Sequence, residues 1–168
     1  ALILGDNIFY GNELVNKLEK ANKLIDKSTI FAYKVRDPQR YGVINFSNEG
    51  IAESIEEKPL NPKSNYVITG LYFYDNNVVE YAKTLIPSSR GELEISDLNE
   101  IYLKKENLNV ELMGRGIAWL DTGTFDSLND AGVFIRTIEC RQGTKVGSPE
   151  EVAWRKGWIN NEKLKDLA

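Results

Sequence analysis

The chain is 168 residues long and 42% hydrophobic, and its 25 acidic residues outweigh 21 basic ones for a net charge of -4. That length can bury the core of one domain, while the negative balance gives no global attraction to nucleic acid or an anionic membrane, so any phosphate site has to be local. The complete absence of histidine excludes imidazole bases, histidine metal ligands and Ser/His or Cys/His triads, which leaves carboxylates, Lys, Arg and a metal to carry chemistry.

Residues 1–4 are an apolar run that stops at Gly5-Asp6-Asn7, which predicts a buried strand ending in a polar turn. From Asn12, the spacing of Leu14, Leu18, Ala21 and Ile25 lines one face of a helix, and the strand-like run 29–35 completes a βαβ unit with a parallel pair. Asp37-Pro38 marks a turn. Residues 41–46 and 51–55 then flank Ser47-Asn48-Glu49-Gly50, the pattern of a hairpin with a glycine-containing loop. This hairpin delivers Glu57 and Lys58 to its far end, where Pro59 and Pro62 cannot donate into a ladder and a loop opens.

The next strand, 67–74, is interrupted by Gly70, which predicts a bulge or a close approach to the backbone. Asp75 can cap the helix that carries Val78, Val79, Ala82 and Leu85, and Pro87 stops it. Arg90 follows as an isolated loop cation able to fork onto a phosphate or simply to sit in solvent; helical periodicity resumes over 93–105. Short strands at 109–113 and 117–120 surround Gly114-Arg115-Gly116. Thr124 is placed to cap a helix running to about Arg141, in which the single Cys140 reads as a buried thiol with no intrachain disulfide partner. Past Gly143, Ser148-Pro149-Glu150-Glu151 forms a helix start that Gly157 ends, and a last amphipathic segment begins at Asn161. Trp154 and Trp158 on these short helices are expected to dock on the core or on another subunit. No leader-like segment and no apolar run long enough to span a bilayer is evident, so a reducing cytoplasm is the expected compartment.

Asp6 and Asp121 each follow an apolar strand, and ligands of α/β sheets bind beyond the carboxyl ends of strands. Two such carboxylates converging across a sheet suit Mg²⁺, which takes one or two carboxylates and leaves its other positions to phosphate oxygens and water. Taken singly, each is equally a turn aspartate satisfying backbone N–H groups. Likewise, Glu57 and Lys58 facing a glycine-opened strand fit a ligand with hydroxyls and a phosphate, or a surface ion pair.

Together, G-D-N-I-F-Y-G, R-Y-G-V, E-E-K-P, V-I-T-G-L-Y-F-Y-D, S-R-G-E-L-E-I-S-D and A-W-L-D-T-G-T occur in an order and spacing that closely resembles bacterial glucose-1-phosphate thymidylyltransferases over essentially the whole chain. The resemblance implies an α/β nucleotidyltransferase fold, Rossmann-like with a mixed sheet. It also implies Mg²⁺-dependent transfer of thymidylyl from dTTP to glucose 1-phosphate, giving dTDP-glucose for deoxysugar synthesis and pyrophosphate. Asp6 and Asp121 match the metal aspartates; Gly42, Glu57, Ile68, Gly70 and Tyr72 match the glucose pocket; Lys58 and Arg90 match the cations on the sugar phosphate. Tyr10, Gly11, Arg115, Glu151 and Arg155 match parts of a regulatory nucleotide site, with Val15 and Phe125 at positions commonly histidine. A homo-oligomer is implied for the complete enzyme, with no nucleic-acid or membrane partner.

One family element is missing from these residues: the phosphate loop of form G-x-G-T-R-L at the first strand-helix turn. On that ground the chain is expected to be the C-terminal portion of the enzyme, with 1–143 a sugar-phosphate and metal portion and 144–168 a helical tail packing on the core or a subunit interface, and to be inactive by itself. The competing readings are a sugar nucleotidyltransferase of another base and a non-catalytic sugar-phosphate-binding or oligomerisation module.

Overall fold

The computed structural model describes residues 1–24 and 26–167, so the expectation for Ile25 lies outside the described residues. The chain forms two compact units, Ala1–Asp121 and Thr122 onward.

The first unit is built on a six-stranded mixed sheet. Its middle strand β6 (Tyr66–Phe73) is flanked along its whole length by β3 (Ser28–Lys34). Beyond β3 lies β7 (Leu108–Met113), paired parallel, while β4 (Gly42–Phe46) and β5 (Ala52–Glu57) form the expected antiparallel hairpin on the other side. The short β1 (Leu2–Ile3) also pairs antiparallel with β6.

Period two decides which side chains face which way. Ile30, Ala32, Ile44, Ile55, Ile68 and Tyr72 form one buried cluster, closed by Ile95 and Leu103 of helix α3 (Ile95–Lys104). Phe31, Leu71 and Met113 face the opposite way and pack with Ala21 of helix α1 (Leu14–Lys23) and with Ile117. Each fully buried side chain of this size contributes about 1.5–3 kcal/mol relative to exposure. Ile117 belongs to β8 (Ile117–Asp121), which pairs antiparallel with β2 (Asn7–Gly11) in a separate two-stranded ribbon. The strand at 117–120 is expected from the sequence but its partner is not: the turn read at Gly5-Asp6-Asn7 leads into Asn7–Gly11, whose pairing residues lie more than a hundred positions away.

Several expectations are corrected here. The run at 1–4 is exposed, Leu2 at 43% and Ile3 at 57%, because β1 has a neighbour only in β6. β1 and β3 run parallel but do not pair, since both are antiparallel to β6, which lies between them. Asp75 does not cap the next helix, α2 (Val78–Lys83), whose N-cap is Asn77; its carboxylate instead accepts the Asn77 N–H at 3.0 Å and the Tyr102 hydroxyl at 2.6 Å.

In the second unit, Thr124 caps α4 (Phe125–Gln142) through a reciprocal bond with Ser127, and Gly143 ends it in the left-handed conformation. Cys140 is exposed on this helix, because the apolar spacing around it does not carry position 140 onto the covered side. α5 (Pro149–Arg155) starts at Ser148, and the Trp154 indole donates to Asn161 at 2.7 Å, tying α5 to α6 (Asn161–Leu167). Among the described residues no helix is long and apolar enough to cross a membrane.

Candidate active site

The site arises from a fault in the sheet. Ile30 and Ala32, two residues apart on β3, face Tyr72 and Ile68, four apart on β6, so β6 bulges around Gly70 as its glycine predicts. On the other edge of β6 the neighbour changes at the same level. β1 covers Leu71 and Tyr72, with the Leu4 N–H reaching the Gly70 carbonyl at 2.8 Å, whereas β4 joins at Val67. Two strands diverging from one edge leave a cleft, the place where open α/β sheets bind ligands. Asp6 leaves β1 into that cleft, and Gly42 opens β4 beside it.

Glu57 faces Gly42 across the hairpin and is held by the Ser96 hydroxyl of α3, which donates to its Oε2. A Cβ on Gly42 would lie 2.6 Å from Ser96 Oγ and 3.3 Å from Glu57 Oε2, so glycine is required there by close approach rather than by backbone angle. Lys58 follows with a left-handed backbone, φ +42°, its N–H bonded to the Tyr41 carbonyl at 3.0 Å and its ammonium 3.9 Å from Glu57. Lysine rarely takes this conformation, and such outliers gather at functional sites. Arg90, which the sequence presents as isolated, is surrounded by carboxylates: Glu92 at 2.7 Å, and Glu57 and Glu94 each at 3.5 Å. Glu94 is itself buried and accepts from Ser88 at 2.8 Å.

Asp6 and Asp121 come to one end of the ribbon, since Asn7 pairs directly with Asp121. Asp121 has Arg40 at 3.9 Å, and Arg40 also pairs with Asp37 at 3.2 Å and covers the Tyr41 ring. Tyr41 in turn packs edge-on against Trp119 at 5.2 Å. Burial, with the Tyr41 hydroxyl also beside Asp121, pushes that phenol upward. Tyr72 ties the two halves together: burial first, then the charges of Glu57 and Asp6, raise its phenol far above its ordinary range and keep it neutral.

The cleft thus gathers Asp6, Gly42, Glu57, Lys58, Ile68, Gly70, Tyr72, Arg90 and Asp121. Asn7, Ser96, Glu94, Arg40 and Trp119 join them without having been singled out, although all five stand inside the motifs quoted above. No group of three or more acidic or cysteine side chains poised for a metal occurs among the described residues. Two hard carboxylates at one strand end nonetheless fit Mg²⁺, whose remaining positions go to phosphate and water.

Tyr10 and Gly11 lie at the other end of the ribbon, opposite Ala118 and Ile117, near the turn that carries Arg115. In the second unit, Arg155 pairs with Glu151 at 2.6 Å beside a groove of about 570 Å³ lined also by Lys145, Ser148, Val152 and Trp158.

A nucleotidyl transferase family model matches residues 1–138. The chain is 58% identical to a glucose-1-phosphate thymidylyltransferase of Mycobacterium tuberculosis over 98% of its own length and 57% of the relative's. It is 53% identical to the enzyme of that name from Neisseria meningitidis, over 99% and 58% respectively. Among solved structures, a Bacillus anthracis protein crystallised in complex with a sucrose superposes with TM-score 0.67 at 44% identity, covering 80% of this chain and 53% of that one. The chain therefore spans somewhat more than half the length of the curated relatives it matches.

Proposed function

The chain belongs to the nucleotidyl transferase family, and from that premise we propose that it forms the sugar-phosphate and metal half of a glucose-1-phosphate thymidylyltransferase. The reaction is attack by the phosphate of glucose 1-phosphate on the α-phosphorus of dTTP, giving dTDP-glucose, a precursor of activated deoxysugars such as dTDP-rhamnose, and pyrophosphate. The observation that supports this reading is the cleft at Gly70, where β1 and β4 part from β6 and the Glu57 carboxylate with its two cations stands on one side and Asp6 and Asp121 on the other.

In this reading Glu57, oriented by Ser96, accepts hydrogen bonds from glucose hydroxyls, while Gly42 and Gly70 leave room at the edge of the pocket for the Ser96 hydroxyl and the Asn7 amide. Lys58 and Arg90 take the sugar phosphate. Both are engaged by carboxylates, so a dianion has to displace those partners. No general base is needed, because a phosphate monoester is already ionised near neutral pH. The protein's task is to bring two polyanions into line and to offset their repulsion. Asp6 and Asp121 would hold Mg²⁺, which when bound neutralises nucleotide oxygens and the charge that develops on departing pyrophosphate.

The regulatory-site matches Tyr10, Gly11, Arg115, Glu151 and Arg155 belong to the same reading of a cytoplasmic homo-oligomeric enzyme. The 168 residues alone are expected to bind glucose 1-phosphate without turning it over, since they contain no G-x-G-T-R-L phosphate loop. Calorimetric titration tests this. Binding of glucose 1-phosphate that is lost in Lys58→Ala supports the assignment. Absence of any sugar-phosphate binding, or release of pyrophosphate from UTP in preference to dTTP by the chain, overturns it.

A further inference from the structure

We propose that Asn7 is a positioning residue that sets the two metal carboxylates in place and makes Gly70 obligatory; this rests on the metal reading of Asp6 and Asp121. The Asn7 side chain makes three hydrogen bonds, to two distant strands and to its own neighbour. Its Oδ1 accepts the Gly70 N–H at 3.0 Å and the Trp119 indole N–H at 2.6 Å, and its Nδ2 donates to Asp6 Oδ1 at 2.8 Å. A carbonyl oxygen has two lone pairs, and both are taken. The orientation of the amide is therefore forced: turned over, it would set an NH₂ group against two donors and an oxygen against a carboxylate.

The consequences follow from where the three partners lie. Gly70 is the bulge of β6, whose N–H the ladder with β3 leaves over. Trp119 stands on β8 two residues before Asp121. Asp6 is the neighbour of Asn7, and the Asn7 backbone itself pairs with Asp121. One side chain thus fixes the rotation of the Asp6 carboxylate relative to the strand that carries Asp121 and to the strand that faces the sugar. Ion sites depend on such outer partners, whose loss typically costs ten- to a hundred-fold in metal affinity.

Gly70 provides the second, independent line. A Cβ on Gly70 would meet Asn7 Cγ and Nδ2 at 2.6 Å and Oδ1 at 2.8 Å. The amide occupies the space a side chain would fill, so the glycine is demanded by Asn7, not by the backbone.

The test uses Mn²⁺ alone as probe, followed by electron paramagnetic resonance, with the melting temperature of each variant recorded. Asn7→Leu keeps the branching at Cγ, with larger methyl groups in place of the oxygen and nitrogen, and removes all three hydrogen bonds. It is expected to weaken Mn²⁺ binding about tenfold or more. Gly70→Ala is expected to weaken Mn²⁺ comparably by displacing Asn7, and in an Asn7→Ala background to add nothing, the non-additivity expected of a direct contact. An Asn7→Leu chain that melts normally and binds Mn²⁺ like the parent overturns the proposal. So does a Gly70→Ala penalty that persists undiminished in the Asn7→Ala background, which also decides the matter should Asn7→Leu not fold. Parent binding that is lost in Asp6→Asn but kept in Asn7→Leu refutes the role of Asn7 alone, whereas a parent chain that binds no Mn²⁺ refutes the metal reading and this inference with it.

Discussion

Replacing Gly42 by alanine is expected to damage sugar binding far more than folding. The new Cβ would lie 2.6 Å from Ser96 Oγ, so the hydroxyl has to retreat by about 0.8 Å to reach ordinary contact. Ser96 sits in the first turn of α3 and is buried, so the hydroxyl's way out is to rotate about its own Cα–Cβ bond and abandon Glu57. A hydrogen bond to a charged group is worth about 1.5–3 kcal/mol, which sets the expected loss of glucose 1-phosphate affinity at roughly ten- to a hundred-fold. Glu57 remains partly open to water, so folding should lose only about 1 kcal/mol, a few degrees in melting temperature. Calorimetric titration and thermal melts of the same samples separate the two. A double substitution supplies the control: with Ser96→Ala already made, the nearest Ser96 atom is its Cβ at 3.8 Å, and Gly42→Ala should cost little more. Affinity within twofold of the parent in Gly42→Ala, or a full penalty in the Ser96→Ala background, would refute the assignment of Ser96 as the group that aims Glu57.

Lys58→Ala should weaken all sugar 1-phosphates by a similar factor, about ten- to a hundred-fold, whereas Glu57→Gln, which makes an acceptor-only group also a donor, should relax the preference for glucose over galactose 1-phosphate. Titrations with both sugars check this, and equal small losses with unchanged preference would reduce the pair to a surface ion pair. Away from the cleft, burial raises the Glu111 carboxyl but the bonds and charges of Lys17 and Lys20 outweigh it, so the net shift is below the ordinary 4.5. A depressed folded-state value contributes stability that is present above 4.5 and lost as pH falls through the folded value. Lys17→Met should accordingly cost about 1–3 kcal/mol in denaturant melts at pH 7, with the gap to the parent closing as the pH falls through the lowered folded-state value of Glu111. Thr124→Ala, which removes the α4 cap, should cost about 1 kcal/mol, read as loss of helical signal on heating.

Features that rest on near neighbours were legible in the sequence: the hairpin around Gly50, the Thr124 cap and the Gly70 bulge each follow from a few adjacent residues. What could not be read depends on distant partners. β2 exists because Asn7–Gly11 meets Ile117–Asp121, and nothing in five residues of mixed polarity announces that meeting. The run at 1–4 has the composition of an inner strand yet is exposed, because composition does not say how many neighbours a strand has. Of the three carboxylates around Arg90, Glu92 and Glu94 stand within four residues of it and only Glu57, thirty-three residues away, is beyond a local reading. Asn7 escaped notice for a chemical reason: an amide has no charge and no reactivity, and its importance appears only when Gly70 and Trp119 arrive from two distant strands to join its neighbour Asp6.

Lys58 carries a further implication. Apart from Glu106, it is the only non-glycine residue with a left-handed backbone among those described, and holding a lysine there costs on the order of 1 kcal/mol that glycine would not incur. Stability and ligand affinity consequently pull in opposite directions at one codon. Random variants screened for yield, solubility or heat resistance would drift at position 58 toward glycine or asparagine, and the survivors would look improved by every measure except the one that requires phosphate. On the proposed reading, the Lys58 ammonium serves the phosphate from a backbone slot that the fold alone would give to another residue.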